Sequence, residues 1–184
     1  MSRIYGERLR LRAIERADVG HFYEWVNDPE VTLGLSLYLP MSNLDEEHWF
    51  ESIATRDPHE RPLAIEVCES EAWRLIGNCG AFAIEWVNRS AELGIMIGDK
   101  SAWNKGYGTE AMTLLAGHCF DTLNLQRVFL RVFADNLRAR RSYQKAGFVE
   151  EGSLRQAVFR RGAYQDAILM SLLRTEWSTR AKEK

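Results

Sequence analysis

A chain of 184 residues with 46% hydrophobic and 27% charged residues has the length and composition of one globular domain. No apolar run approaches the roughly 20 residues of a membrane-spanning helix, and the N-terminal sequence MSRIYGERLRLR lacks the apolar core of a signal peptide. The formal net charge of −2 argues against a general nucleic-acid-binding protein. We expect a single domain over residues 1–184 with a frayed C-terminal tail, and neither a nucleic-acid nor a membrane partner.

Strands and helices of the first 62 residues are predicted to be short, because this segment holds all 4 prolines. Residues 8–14 (RLRLRAI) alternate in polarity as a strand does, and residues 17–28 (ADVGHFYEWVND) have the apolar spacing of a helix. Residues 43–53 (NLDEEHWFESI) predict a second helix, with acids in the first turn where the helix dipole favours them.

The middle of the chain predicts strands. They are residues 63–69 (LAIEVCE), 75–87 (LIGNCGAFAIEWV) and 91–98 (AELGIMIG), the last two joined by a turn at Asn88-Arg89. The cysteines Cys68, Cys79 and Cys119 are odd in number and have no CxxC spacing or neighbouring histidines. They predict reduced thiols in the core, a cytoplasmic protein and no metal.

The second half of the chain alternates between helices and strands. The predicted elements are a helix at residues 107–123, a strand at 126–134 (QRVFLRVFA), a short helix within residues 136–148 (NLRARRSYQKAGF) that ends at Gly147, and two closing strands, FVEEGSL and YQDAILMSLL, around a turn at Arg161-Gly162. This order predicts an α/β (α+β) fold whose mixed, twisted sheet of about six or seven strands is flanked by helices.

A glycine-rich loop precedes the helix at residue 107. The sequence SAWNKGYGTEA contains Gly106-x-Gly108-x-x-Ala111, which matches the dinucleotide-binding pattern G-x-G-x-x-G/A. In that fold the first glycine directly follows a strand, whereas the predicted strand ends at Gly98. No strand with a ribose-binding acid follows about 20 residues later, and no Gly-Lys-Ser/Thr marks a P-loop. The context therefore argues against both folds, and the loop predicts a phosphate site whose donors are main-chain N–H groups and a helix N-terminus.

Four segments, taken in order, resemble the GNAT superfamily of acetyl-CoA-dependent N-acetyltransferases. They are ERLRLRAIERADVGHFYEWVNDPEV, AELGIMIGDKSAWNKGYGTEA, NLRARRSYQKAGF and EGSLRQAVFRRGAYQDAILMSLL. The first resembles the branch that contains the ribosomal-protein alanine and the bacterial spermidine N-acetyltransferases, and the second resembles the acetyl-CoA motif of the superfamily. The resemblance covers nearly the whole chain and is weak between about residues 33 and 61.

This resemblance implies acetyl-CoA as co-substrate and no metal. The main chain of the loop would bind the pyrophosphate, Lys105 would add a positive charge, and the strand edge at residues 95–97 would pair with the pantetheine arm. The family often has Gln or Arg where this chain has Trp103, which weakens a side-chain phosphate contact there. The implied cofactor-binding residues are Ile95, Met96, Ile97, Trp103, Asn104, Lys105, Gly106, Tyr107, Gly108, Thr109 and Asn136.

Acetyl transfer to an amine requires a neutral amine, a donor for the oxyanion and a proton for the leaving thiolate. The resemblance implies Tyr143 as the acid and a backbone N–H near Ile95 as the oxyanion donor. It implies Glu92 as the general base or the amine contact, with Glu85 and a water chain as alternatives for the base. Asn136 would be both the N-cap of its helix and a contact to the CoA arm.

The acceptor is expected to be cationic, because residues 1–100 hold 10 Lys and Arg against 18 Asp and Glu, whereas residues 101–184 hold 14 against 8. The acidic run Asp45-Glu46-Glu47 lies in the negative part. A polyamine, an aminoglycoside or a protein N-terminus with basic neighbours would fit, and an amino-sugar nucleotide is disfavoured. The candidate acceptor-lining residues are His21, Trp25, Tyr38, His48, Trp49, Trp86 and Tyr164.

Two other classes of function stay open at this point. A nicotinamide-dependent (NAD(P)) Rossmann oxidoreductase is disfavoured by the distance between strand and glycine loop. A non-catalytic CoA-binding regulatory module is disfavoured only by Tyr143. The oligomeric state is also open, with a homodimer among the alternatives.

Overall fold

The computed structural model describes residues 3–182, and the side chains of residues 3–179. One mixed sheet contains 8 strands in the order β1-β2-β3-β4-β5-β6-β8-β7. The strands are β1 (Ile4–Tyr5), β2 (Leu9–Ala13), β3 (Leu63–Glu69), β4 (Ala72–Glu85), β5 (Ser90–Ile97), β6 (Arg127–Phe133), β7 (Val149–Arg160) and β8 (Ala163–Leu173). The helices are α1 (Val19–Val26), α2 (Pro29–Thr32), α3 (Asn43–Ile53), α4 (Tyr107–Gly117), α5 (Leu137–Ala146) and α6 (Arg174–Lys182).

All strand pairs of the sheet are antiparallel except β5 and β6, which are parallel. A parallel connection needs a crossover, and α4 supplies it between β5 and β6. The predicted fold class, a mixed sheet flanked by helices, is confirmed, with eight strands in place of the expected six or seven. The additional strand is β1, which has only two residues and too little sequence to show a period.

Local signals account for the elements whose bounds agree with the sequence prediction. Helix α3 spans the predicted residues 43–53 because Ser42 and Asp45 form a capping box at its start. Helix α5 ends at Gly147, whose φ of 107° is the left-handed conformation expected at this position. The helix predicted over residues 107–123 agrees with a continuous helical segment, in which α4 (Tyr107–Gly117) passes directly into a π-helical turn, His118–Thr122.

Two clusters of buried side chains support the sheet. The larger one lies between the sheet and α4 and includes Met112, Leu115 and Phe120, each at most 2% exposed. The smaller one lies under α1 and α3 and is built around Phe22 and Met96. Because Met96 belongs to β5, the smaller cluster fixes the first helices against the strand that leads to the glycine loop.

The cysteine prediction is confirmed for Cys79 and Cys119, which are buried free thiols, and wrong for Cys68, which is exposed at the end of β3. Burial raises the pKa of the Cys119 thiol to about 12. The expected frayed tail falls in part on residues 183–184, which lie outside the described residues. None of the helices within residues 3–182 is both long and apolar enough to cross a membrane.

Candidate active site

Strands β5 and β6 separate in the middle of the sheet. They pair only from Ser90 with Arg127 to Glu92 with Phe129, although both strands continue beyond these residues. After Glu92, β5 keeps its partner β4 on one side, and its other edge opens into a cavity. Main-chain groups of residues 95–97 can therefore bind a ligand instead of a neighbouring strand.

The glycine loop lies at the end of this opening. Asn104 (φ 61°) and Gly106 (φ 84°) are in the left-handed region, which turns successive N–H groups toward one side. The first N–H of α4 with an acceptor in the helix is that of Glu110, which donates to the Gly106 carbonyl at 3.1 Å. The N–H groups of Tyr107, Gly108 and Thr109 therefore have no acceptor within α4. Free N–H groups at a helix N-terminus form an anion site.

A cavity of about 460 Å³, here called the donor cavity, lies between β5, the glycine loop and α5. Of the residues predicted to bind the cofactor, all except Lys105 line it, as does Tyr143. Those lining residues are Ile95, Met96, Ile97, Trp103, Asn104, Gly106, Tyr107, Gly108, Thr109 and Asn136. The residues that the motifs predicted therefore surround one cavity. The individual role of each residue stays a prediction.

Helix α5 contributes a cationic face to the donor cavity that was not predicted. Arg138, Arg141, Ser142 and Lys145 line the cavity. Their spacing of three and four residues places them on one side of the helix. The sequence signal was the basic run RARRSYQK. Which side of the helix faces the cavity can be seen only after the helix has been placed in the fold. The Arg138 guanidinium lies 3.9 Å from the ring centroid of Trp103, and burial lowers its pKa.

Tyr143 on α5 and Asn136 at the N-terminus of this helix both line the donor cavity. Burial raises the pKa of the Tyr143 hydroxyl to about 12, so the group is protonated at neutral pH and can donate a proton. Asn136 is the N-cap of α5, where its Oδ1 accepts from the Ala139 N–H at 3.1 Å. Its predicted capping role is therefore confirmed.

Trp103 and Lys105 differ from the other loop residues in what they do. The Trp103 indole Nε1 donates to the Ile97 carbonyl at 2.8 Å, which ties the loop to the end of β5. Lys105 is exposed, and its main-chain carbonyl accepts a hydrogen bond from the Arg8 guanidinium at 2.9 Å. The first contact lies in the wall of the donor cavity, and the second joins two residues that do not line it.

A second cavity, of about 450 Å³ and here called the acceptor cavity, adjoins the first. Leu35, Ile95 and Met96 line both cavities, so the two meet at β5. The acceptor cavity is walled mainly by apolar side chains, among them Phe22, Val26, Leu37, Trp49 and Phe82. Its charged lining residues are Glu46, Arg56 and Glu60.

The candidate base Glu92 lies at the last paired position of β5 and β6 and lines neither cavity. Arg131 donates to both carboxylate oxygens of Glu92, from Nε at 2.8 Å and from Nη2 at 2.9 Å. The alternative, Glu85, is exposed and accepts from the Asn88 amide at 2.6 Å. The role of either acid as base stays a prediction.

Of the aromatic and histidine residues predicted to line the acceptor site, only Trp49 is among the lining residues of the acceptor cavity. His21 and Trp25 stack on each other at 5.7 Å, and Trp86 packs against His59 at 5.4 Å. The others, Tyr38, His48 and Tyr164, are exposed. These side chains pack on neighbouring rings or are exposed, and their part in acceptor binding stays a prediction.

The donor cavity fits a ligand with an anionic diphosphate and a long amide-bearing arm, as CoA has. The N–H groups of the loop and the α5 cations suit the diphosphate, and the open edge of β5 suits the amides. Gly108 also suits such a ligand, because a side chain there would occupy the cavity. The nearest atoms to an added Cβ are Ser142 Oγ at 3.5 Å and Ile97 Cγ1 at 3.9 Å, and both residues belong to the cavity wall.

Known proteins share this architecture. A family model described as an acetyltransferase (GNAT) domain matches residues 8–149. The chain is 30% identical over 175 residues to a spermidine N(1)-acetyltransferase of Vibrio cholerae, over 95% of this chain and 98% of that protein. It is 28% identical over 164 residues to the ribosomal-protein-serine acetyltransferase of Escherichia coli, over 89% of this chain and 91% of that protein.

A solved structure extends the similarity to three dimensions. The crystal structure of spermidine N-acetyltransferase from Vibrio cholerae in complex with CoA and spermine has a TM-score of 0.84 to this chain at 28% sequence identity. The match covers 94% of this chain and 99% of that one.

Proposed function

The chain belongs to the GNAT acetyltransferase family and transfers the acetyl group of acetyl-CoA to an amine, and we propose that this amine is a primary amine of a small polycation. The observation that carries the proposal is the acceptor cavity, an apolar chamber with carboxylates in its wall that meets the donor cavity at β5. Methylene groups fit apolar walls, and ammonium groups need anionic partners.

Charge and similarity support the same acceptor class. The charged lining of the acceptor cavity is two carboxylates and one guanidinium, whereas α5 brings Arg138, Arg141 and Lys145 to the donor cavity. This separation guides a polyanion to one cavity and a polycation to the other. The relative with a TM-score of 0.84 was crystallised with both CoA and spermine.

In the proposed mechanism, acetyl-CoA supplies the activated acetyl group, and the residues of this chain position it and move protons. The N–H groups of the glycine loop and the α5 cations hold the pyrophosphate, and the open edge of β5 holds the pantetheine arm. A main-chain N–H near Ile95 stabilises the negative charge that develops on the reacting oxygen. Tyr143 donates its hydroxyl proton to the departing sulfur.

The acceptor amine must lose a proton before it attacks. An alkylamine with a pKa near ~10.4 costs roughly 4–5 kcal/mol to deprotonate at pH 7. Glu92 lines neither cavity and is held by Arg131, which favours a water chain over direct contact with this carboxylate. A slow proton loss through water would make the rate rise with pH.

The remaining classes of function are less well supported. A Rossmann oxidoreductase is not favoured, since its sheet is mostly parallel and here β5 and β6 are the single parallel pair of the described sheet. A non-catalytic CoA-binding module would have no use for a tyrosine hydroxyl in the wall of the donor cavity.

Release of the CoA thiol, measured with a panel of amines, tests the proposal. The panel contains a polyamine, an aminoglycoside, a peptide with a free N-terminus and an amino-sugar nucleotide. We expect the polyamine to have the highest kcat/KM, and this value to fall as salt shortens the screening length to about 8 Å. Efficient turnover of the peptide or the nucleotide alone, without salt sensitivity, would contradict the proposal.

A further inference from the structure

The three acids of the run Asp45-Glu46-Glu47 have different environments. Asp45 is committed to the capping box, where its Oδ2 accepts from the Ser42 N–H at 2.8 Å and from the Ser42 hydroxyl at 2.7 Å. Glu47 forms an ion pair with Arg16 at the surface. Glu46 alone turns inward, is 4% exposed and lines the acceptor cavity.

The Glu46 carboxylate has no hydrogen-bond or ion-pair partner among the described residues 3–179. Burial raises its pKa, and the neighbouring Asp45 raises it further. The dipole of α3 favours an acid in this first turn, but Asp45 and not Glu46 is the acid of the capping box. An unpaired carboxylate in an apolar wall opposes folding, so its presence indicates a ligand that pairs with it.

The other charged groups of the acceptor cavity are engaged elsewhere. Arg56 donates to Ser52 Oγ at 3.1 Å and lies 6.0 Å from the ring centroid of Trp49. Glu60 Oε1 accepts from the Ile84 N–H at 2.7 Å, which fixes this acid on β4. Neither residue forms an ion pair with Glu46 in the part of the chain that the structure describes. No cation among the described side chains of residues 3–179 therefore neutralises Glu46, which leaves this place to a ligand.

We propose that Glu46 binds the second, non-reacting ammonium group of a diamine or polyamine acceptor and thereby selects diamines over monoamines. The reacting amine has to be neutral, and a nearby carboxylate would stabilise its charged form. The second ammonium stays charged throughout, so its attraction to Glu46 carries no such penalty. The methylene chain between the two amines lies along the apolar walls formed by Phe22, Val26 and Trp49. The assignment rests on the proposed function, since it requires a polycationic acceptor.

Two acceptors with the same four-carbon chain test the assignment: 1,4-diaminobutane and n-butylamine, which lacks the second amine and its charge. We expect the wild-type enzyme to prefer the diamine and Glu46→Gln to lose that preference. The diamine kcat/KM should fall by roughly 10- to 100-fold, chiefly through KM, as for one lost charge-assisted hydrogen bond. The values for n-butylamine and the KM for acetyl-CoA should stay within about twofold.

Matched variants separate this role from others. Glu47→Gln removes a charge from the same helix at the surface and should leave the preference intact. Glu46→Asp keeps the charge and should retain part of the preference for the diamine. The melting temperature of Glu46→Gln should equal or exceed that of the wild type, because an unpaired buried charge is removed; a lower value would indicate a structural role and contradict the assignment.

Three kinetic outcomes would also overturn the assignment, each in a different way. A diamine preference retained in Glu46→Gln contradicts the Glu46 contact alone and leaves the proposed function standing. An equal loss of kcat for both amines would make Glu46 a base and not an anchor. A wild-type enzyme that does not prefer the diamine contradicts the proposed polycationic acceptor and, with it, this assignment.

Discussion

Arg8 and Glu110 join the start of β2 to the first turn of α4. The Arg8 backbone N–H donates to Glu110 Oε1 at 2.8 Å, and its Nε donates to Oε2 at 2.9 Å. The same guanidinium donates to the Lys105 carbonyl at 2.9 Å and lies 4.9 Å from the ring centroid of Tyr107. Arg8, which is not among the lining residues of the donor cavity, therefore links the glycine loop and the start of α4 to β2.

Replacing Arg8 tests whether this contact matters for acetyl-CoA binding. Arg8→Gln loses a half-exposed ion pair and one charged hydrogen bond, together worth about 1 kcal/mol. We expect the KM for acetyl-CoA to rise about fivefold with little change in kcat. Arg16→Gln, which loses a surface pair with Glu47 away from the loop, is the control. Equal KM values in both variants would show that the loop holds its shape without Arg8.

Gly108→Val tests the placement of the pyrophosphate. The new side chain would extend from the second position of α4 into the donor cavity, where its nearest neighbours, Ser142 and Ile97, leave room for it in the fold. We expect a severe loss of acetyl-CoA affinity, measured by calorimetry, with a normal melting temperature.

The control for this variant is Gly20→Val, which introduces the same side chain at the second position of α1, where a Cβ meets nothing within 4 Å. Gly106 is unsuitable because its φ of +84° would strain any substitute. Unchanged acetyl-CoA affinity in a folded Gly108→Val enzyme would place the phosphate elsewhere.

Tyr143→Phe removes the proposed acid and keeps the ring, which packs 6.1 Å from Phe148. The kcat should fall by about 10²- to 10⁴-fold with little change in the KM for acetyl-CoA. Because the pKa of Tyr143 is raised to about 12, its deprotonation should produce no loss of wild-type activity up to about pH 10. Tyr164→Phe, at an exposed tyrosine, is the control. Full activity of Tyr143→Phe would assign the proton to water.

Acid stability should depend on Glu151, which accepts from Arg127 at 2.6 Å and from Ser171 at 2.7 Å. These contacts lower its pKa from 4.5 to about 2 in the folded state. A depressed folded pKa stabilises the protein above pH 4.5, and this contribution is lost as the pH falls through about 2.

The difference in urea midpoint between wild type and Glu151→Gln should therefore be largest near neutral pH and vanish near pH 2. Glu71→Gln, at an exposed acid in the turn before β4, should show no such trend. A difference that is independent of pH would mean that Glu151 acts through packing and not through its charge.

The donor cavity could be predicted from the sequence because its residues belong to local motifs. The glycine loop and the N-cap Asn136 each act through neighbours a few residues away, and those neighbours are visible in the sequence. Helix α2 was missed although Asp28 caps it and Pro29 follows, since four residues are too few to show a helical period. Helix α6 was missed because its polar sequence shows no apolar face.

The acceptor cavity could not be predicted, since its walls come from α1, α3, β4 and β5 and from the loops between them. Which aromatic side chains face the cavity depends on contacts between distant residues. Trp25, for example, packs on Gly98 so closely that a Cβ there would lie 2.1 Å from its ring. The direction of Glu46 depends likewise on how α3 lies on the sheet, and the sequence shows only three adjacent acids.

The affinity of a bisubstrate analogue, in which CoA is joined through an acetyl bridge to one primary amine of spermidine, tests most directly whether both cavities form one active site. If they meet at Ile95 and Met96, the analogue occupies both and should bind at least about 100-fold more tightly than CoA, measured by calorimetry. Gly108→Val should weaken the binding of CoA and analogue alike, whereas Glu46→Gln should weaken only the analogue. An analogue that binds no more tightly than CoA would contradict the account.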